Sequence, residues 1–141
     1  MQIDGGHMVT TKTINTSGKR KQAIARATLA PGKGTVHVNN QRLDHFSNHI
    51  TQLKIQEALI LAGEKAKEVD IVVRITGGGV NSQADAARVA IARALVGFDS
   101  KLKKVFDDYD RLLLVADIRR KESRKPGTHG KARAKSQKSY R

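Results

Sequence analysis

The stretch VDIVVRITGGGVNSQADAARVAIARAL, residues 69–95, contains the clearest local signals of the fold. Its odd-numbered residues from 69 to 75 are all Val or Ile, and this alternation predicts a strand with one buried face. Three glycines follow, and then apolar residues recur at helical spacing, which predicts a helix over about 81–96. Ser82, with Asp85 three residues later, is typical of a helix N-terminal cap.

Two further strands are predicted upstream of this stretch. Alternation over residues 23–29 gives one face made almost entirely of Ala, which favours a helix packed close against it. Arg26 then projects from the opposite face. A Pro-Gly-Lys-Gly turn at 31–34 leads to a short returning strand at 35–38, so we expect a hairpin.

The remaining elements complete an α+β pattern. Apolar spacing predicts a helix over 50–62 that ends at Gly63, and a short helix over 100–106. An acidic turn is predicted at 107–110, and it is followed by a last predicted strand at 112–117. The predicted fold is therefore a single four-stranded sheet with helices packed on it.

The charge of the chain is strongly positive and is concentrated at one end. The net charge is +14, and residues 119–141 hold ten Lys or Arg residues but only one acid, Glu122. Such a segment buries too little apolar surface to order itself, so we expect an extended basic arm that is ordered by an anionic partner. Nucleic acid fits best, because each neutralised phosphate releases counterions.

Other partner classes fit the composition less well. The arm lacks the Trp, Phe and Leu of a helix that lies on a membrane, and the chain has neither a transmembrane run nor a secretory signal. It has no cysteine, which excludes disulfides and thiolate chemistry. Aromatic residues make up only 4% of the chain, which argues against binding single strands chiefly by base stacking.

Two alternatives to an RNA-binding role remain open at this point. The first is a nucleotide-dependent enzyme built on Gly77–Gly78–Gly79, although the loop lacks both the GxGxxG and the P-loop spacing. An RNA phosphate at this helix end fits better. The second is a DNA-binding protein, although no helix-turn-helix, homeodomain or zinc-finger pattern is present.

No cofactor, metal or catalytic group is predicted. His45 and His49 have the spacing of a helical metal pair but lack a glutamate between them. Two surface histidines beside RNA, or one buried and one exposed, are the better interpretation. Asp107, Asp108 and Asp110 are more typical of a solvated turn than of a cation site.

Several blocks of the chain, in order, resemble ribosomal protein nine of the small subunit, in its archaeal and eukaryotic form. The blocks are SGKRKQAIARATLAPGKG (17–34), VHVNNQRLD (36–44), GGGVNSQADAARVAIARAL (77–95) and KARAKSQKSYR (131–141). The resemblance covers about residues 10–141. It implies a fold like the second domain of ribosomal protein five, with an RNA-binding body at 9–118 and the arm at 119–141. Residues 1–8 are then an expression-vector junction or a short N-terminal extension.

The resemblance also implies a function, partners and site residues. The protein is expected to be a non-enzymatic part of the cytoplasmic small subunit, to bind rRNA of the subunit head, and to lie beside neighbouring head proteins. No membrane and no small-molecule substrate is expected. The predicted rRNA-binding residues are Lys19, Arg20, Lys21, Arg26, Lys33, Arg42, Arg119, Arg120, Lys121, Arg124, Lys125, Lys131, Arg133 and Lys135. The predicted contacts with peptidyl-site tRNA are Lys138, Ser139, Tyr140 and Arg141.

Overall fold

The computed structural model describes residues 12–128 and 132–133. The strands are β1 (Ile14–Arg20), β2 (Ala23–Pro31), β3 (Val36–Val38), β4 (Gln41–Arg42) and β5 (Val69–Thr76). The helices are α1 (His49–Ala62), α2 (Glu64–Lys67), α3 (Val80–Phe98) and α4 (Leu102–Tyr109), with single 3-10 turns at Leu43–His45 and Arg111–Leu113. The α+β class is confirmed, with one mixed sheet and helices packed on it.

The five strands lie in the order β1-β2-β5-β3-β4, and only the β3–β5 pair is parallel. The predicted hairpin between β2 and β3 is wrong, because β5 lies between them. The reason is length: β5 pairs with β2 over eight residues, from Ile24–Thr76 to Pro31–Val69, whereas β3 has only three residues to offer. The turn at 32–34 carries the chain past β5 to that strand's other edge.

In the described part of the chain the sheet has five strands and not the predicted four, and two segments account for the difference. Residues 14–20 form a strand despite their polar sequence, because their backbone pairs with the whole of β2 as far as Leu29. Residues 112–117, which were predicted to be the last strand, do not form a strand. Asp110 accepts a hydrogen bond from the Leu112 amide at 2.9 Å and starts a 3-10 turn that buries Leu113, so the chain leaves the sheet direction.

The core lies between one face of the sheet and α3 with α1. The alternating faces predicted for β2 and β5 are confirmed, since the Ala face of β2 and the Val and Ile face of β5 are buried. The predicted close helix is α3, and its approach is clearest at Gly18 in β1. A Cβ atom there would lie 2.7 Å from the Ala90 amide nitrogen, so only glycine fits.

Helix α3 begins at Val80 and not through the predicted Ser82 cap. Its N-cap is Gly79, which has no side chain to accept a hydrogen bond. Gly77 and Gly78 have φ values of 74° and 69°, which turn the chain sharply enough for the helix to start at once. The carboxylate of Asp85 instead lies 3.4 Å from the Lys54 ammonium on α1.

Polar contacts join α4 to the other helices. The guanidinium of Arg88 lies 2.9 Å from the Glu57 carboxylate and 3.2 Å from that of Asp110. The Tyr109 hydroxyl donates to Glu57 at 2.6 Å, and this hydrogen bond raises the Tyr109 pKa. The predicted acidic turn at 107–110 is wrong, because all but its last residue belong to α4.

Candidate nucleic-acid interface

The glycine-rich loop brings the β1–β2 turn against the start of α3. A Cβ atom on Gly77 would lie 2.7 Å from the Gln22 carbonyl oxygen, and one on Gly78 would lie 2.9 Å from the Ala23 amide nitrogen. The glycines therefore serve close packing of two backbone segments. As a result Lys21, whose own φ is +53°, is exposed beside the uncapped N-terminus of α3.

A groove of about 1480 Å³ opens between this helix start and the first part of the arm. One wall is formed by Lys21, Gln22 and residues 78–82, and the other by residues 119–124. The lining contains five cationic side chains against one acid, Glu122. Cations that line one concave surface add their potentials, and the dipole of a 19-residue helix has the same sign at this end. The groove is therefore suited to phosphate groups.

The root of the arm is fixed to the body by Asp117. Its carboxylate accepts a hydrogen bond from the Arg20 guanidinium, and also from the Arg119 side chain at 2.8 Å and the Arg119 amide at 2.9 Å. The Arg119 hydrogen bonds, followed by the charges of Arg119 and Arg20, lower the Asp117 pKa. Arg93 adds a second tie, since it donates to the carbonyl oxygens of Leu114 at 3.0 Å and Ser17 at 2.8 Å. These contacts set the direction in which the arm leaves the body.

A separate carboxylate organises the turn at the far end of the sheet. Asp70 accepts hydrogen bonds from the Thr35 amide at 2.9 Å, the Thr35 hydroxyl at 2.8 Å and the Lys33 amide at 2.9 Å. These bonds, with the Thr35 amide first, lower the Asp70 pKa. Lys33 is thereby held at the opposite end of β2 from Lys21, about 25 Å away along the strand.

The structure divides the predicted rRNA-binding residues between three places. Among the described members of this set, Lys21 and those of the arm line the groove or pair with its Glu122, Lys33 lies on the far turn, and a third group lies on the sheet face turned away from the helices. The members of this set that the structure describes are exposed except Arg20, whose side chain is only 17% exposed and pairs with Asp117. The third group is Lys19, Arg26 and Arg42.

Part of the arm is held by local pairs, and part lies outside the described residues. Glu122 pairs with Lys125 at 2.9 Å and with Arg133 at 3.0 Å, and both lower its pKa, Lys125 more strongly. The predicted residues outside the described ranges are Lys131, Lys135, Lys138, Ser139, Tyr140 and Arg141. Their contacts stay predictions.

Sequence reasoning missed two arginines that matter to this surface. Arg74 lies directly opposite Arg26 on the exposed sheet face, and the alternation of β5 was sufficient to find it. Arg93 joins the segment before the arm, at Leu114, to β1 at Ser17, and no local pattern predicts these contacts, because the acceptors are 21 and 76 residues away.

Within residues 12–128 and 132–133, no group of three or more metal-binding side chains converges. His45 and His49 are both exposed, which is the first of the two arrangements expected from the sequence. None of the helices in this part of the chain is long and apolar enough to cross a membrane.

Comparison with known proteins gives a consistent result over nearly the whole chain. The family model described as ribosomal protein S9/S16 matches residues 18–141. Small ribosomal subunit protein uS9 of Thermoplasma acidophilum is 49% identical over 128 residues, which are 89% of this chain and 98% of the relative. The uS9 proteins of Methanothrix thermoacetophila and Methanococcus maripaludis are 48% and 45% identical, and each alignment spans 92% of this chain and 99% of the relative.

Proposed function

Because the chain belongs to the ribosomal protein S9/S16 family, we propose that it binds rRNA of the small-subunit head and contacts peptidyl-site tRNA with the end of its arm. The chain is a small-subunit ribosomal protein and not an enzyme. Its proposed place of action is the cytoplasm, among rRNA and neighbouring head proteins.

The observation that supports rRNA binding most directly is the groove at the start of α3. Arg120, Lys121 and Arg124 on the arm face Lys21 on the body across this groove. Guanidinium and ammonium groups bind phosphate oxygens through charge-assisted hydrogen bonds, and arginine does so with two parallel bonds. A strand of rRNA in the groove would neutralise both walls at once and fix the arm on the body.

The contacts of Asp117 favour one direction for the arm relative to the body. A flexible tail loses conformational entropy when it binds, and each residue already fixed reduces that loss. The ion pairs of Asp117 with Arg20 and Arg119 fix the arm at its root, where its first basic residue stands. The predicted role of Arg20 in rRNA binding is therefore proposed in an indirect form, as the residue that orients the arm.

The proposed tRNA contact rests on the family resemblance and on the chemistry of the last four residues. Lys138 and Arg141 supply positive charge, and Tyr140 is the one aromatic residue of the arm. Contacts of this kind with a nucleic-acid backbone carry no base-sequence information. They would steady any tRNA in the peptidyl site without reading its codon.

A matched pair of triple variants tests the rRNA proposal. The first replaces Arg120, Lys121 and Arg124 with Gln, and the control replaces the exposed Lys101, Lys103 and Lys104 near α4, which removes the same charge. Binding to head-domain rRNA is measured over a series of salt concentrations. We expect the groove variant to lower the slope of log K against log salt by about 2 to 3, since each phosphate contact contributes about 0.9 in a duplex. Equal slopes for the two variants would refute the role of the groove.

The tRNA proposal needs whole subunits. Small subunits that contain a chain lacking residues 138–141 should assemble normally and bind peptidyl-site tRNA more weakly than subunits with the full chain. Normal tRNA affinity in the truncated subunits would exclude the proposed contact and leave the rRNA proposal standing.

A further inference from the structure

One face of the sheet is left uncovered by the described helices. Side chains on the α3 side of β2 and β5 are buried, whereas those on the other side alternate with them and are exposed at the middle of the strands and half-buried at Ile24, Ala30 and Asp70. Even the apolar Val72, near the centre of this face, is 43% exposed. We call this surface, formed by the outward residues of β1 to β5, the open face.

The strand register places cationic side chains next to one another on the open face. Arg26 on β2 is directly opposite Arg74 on β5, and Ser17 on β1 flanks Arg26 on the other side. In the next row, Val72 is opposite His37, which is opposite Arg42. Directly opposed residues of adjacent strands have Cβ atoms about 5 Å apart, so both arginines can reach one ligand.

These cations are left largely without a counter-charge by the part of the protein that the structure describes. Within these residues, the side chains of Lys19, Arg26 and Arg74 make no hydrogen bond or ion pair. Arg42 has a weak exposed pair with Asp44 at 3.4 Å. The other acid on this face, Asp70, is occupied by the turn around Thr35. Like charges directly opposite each other destabilise a sheet, so the Arg26–Arg74 pair is a cost that a bound anion would remove.

We propose that the open face binds the phosphodiester backbone of helical rRNA, as a second RNA-binding surface apart from the groove. This inference rests on the proposed rRNA-binding function and adds Arg74 and the class of RNA. The outward positions of the five strands contain no Phe, Tyr or Trp, so the face offers no ring of that kind on which an unpaired base could stack. Duplex RNA is recognised by shape and backbone contacts, which a broad surface of arginine and lysine with short hydroxyl side chains provides.

The test uses the full-length chain and a double variant, Arg26→Gln with Arg74→Gln. The control is Lys103→Gln with Lys104→Gln, which removes the same charge from the exposed surface of α4. The probes are an RNA duplex of at least about 16 base pairs, the span of a typical duplex-binding domain, and a polyuridine strand of equal length. Affinity is measured at several salt concentrations.

We expect the wild-type chain and the control to prefer the duplex. The open-face variant should lower the salt slope on the duplex by about 2 relative to the control, and Arg74→Gln alone by about 1. Thermal unfolding of the variant should be unchanged or occur at a higher temperature, since a like-charge pair has been removed. The single variant provides the same readout if the double variant is poorly folded.

Three results would overturn the inference. One is an open-face variant with the same slope as the control, and another is a wild-type chain that binds duplex and polyuridine equally. The third is displacement of the duplex by polyglutamate at equal charge concentration, which would indicate an acidic protein as the occupant. In each case normal binding of head rRNA leaves the proposed function intact, whereas loss of all rRNA binding in the wild-type chain contradicts the proposed function itself.

Discussion

The turn that presents Lys33 depends on one carboxylate, and its contribution to stability can be worked out from three hydrogen bonds. Asp70 accepts from the Thr35 amide, the Thr35 hydroxyl and the Lys33 amide. Each such bond has a net value of about 1 kcal/mol, and water can replace the one to the exposed Lys33 amide. We therefore expect Asp70→Ala to lower the free energy of unfolding by about 2 kcal/mol and the melting temperature by roughly 8 °C.

A glycine beside this carboxylate supplies an independent test of the same reasoning. A Cβ atom on Gly32 would lie 2.6 Å from the Asp70 Oδ1 atom, so Gly32→Ala should push the carboxylate off its donors. Its cost should be close to that of Asp70→Ala. The double variant should lose about 2 kcal/mol and not the roughly 4 kcal/mol of independent sites.

The assay is urea and thermal unfolding of the full chain at several pH values, with Asp108→Ala on exposed α4 as the control. The folded-state pKa of Asp70 is below its ordinary value of 3.8, so its contribution is present above that pH. It disappears as the pH falls through the folded-state pKa, and the variants should then converge with wild type. Two results would refute the role of the Asp70 carboxylate in this turn. One is additive losses of unfolding free energy in the double variant, and the other is a stability difference from wild type that does not change with pH down to acid unfolding.

Three further predictions concern the body and the anchor. Gly18→Ala should cost about 3 kcal/mol in unfolding free energy, because the added methyl group meets the backbone of α3. The control Gly79→Ala, at an exposed glycine, should cost much less. Similar losses in the two variants would contradict the close approach of β1 and α3. Arg88→Met should cost about 2 kcal/mol in unfolding free energy, since it leaves the half-buried carboxylates of Glu57 and Asp110 without their counter-charge. Restored stability after a second change, Glu57→Gln, would confirm the coupling in a double-mutant cycle. Asp117→Asn should speed tryptic cleavage after Arg119 and Arg120, while Asp108→Asn should not; equal cleavage rates would show that the Arg20 and Arg119 pairs do not fix the arm.

Local periodicity was sufficient to predict most of the secondary structure. The Ala face of β2, the Val and Ile face of β5 and the buried stripe of α3 each follow from spacing within one segment. β1 was missed because its residues, from Asn15 to Lys19, are mostly polar or Gly, and its pairing with β2 defines it instead. The order of the strands could not be predicted from local patterns either. The position of β5 between β2 and β3 depends on which strand pairs best with β2, and the candidate strands are far apart in sequence.

The same limit applies to the candidate interface. Basic residues such as Lys21 and Arg26 are exposed where sequence clustering and strand alternation placed them. Arg20 lies in the same basic cluster, yet its guanidinium pairs with Asp117, which is 97 residues away. Composition shows that a cation is present, whereas the fold decides whether it faces RNA or a carboxylate.

The most direct test of the account uses the fact that the chain has no cysteine. Ser123→Cys places a single thiol on the arm wall of the groove, and Ser100→Cys places one on the exposed turn between α3 and α4. An iron chelate tethered to each thiol, in reconstituted small subunits, cleaves rRNA close to that position. We predict discrete cleavage of head rRNA from Ser123→Cys that is much stronger than from Ser100→Cys. Assembled subunits in which Ser123→Cys gives no cleavage would contradict the claim that the groove holds rRNA.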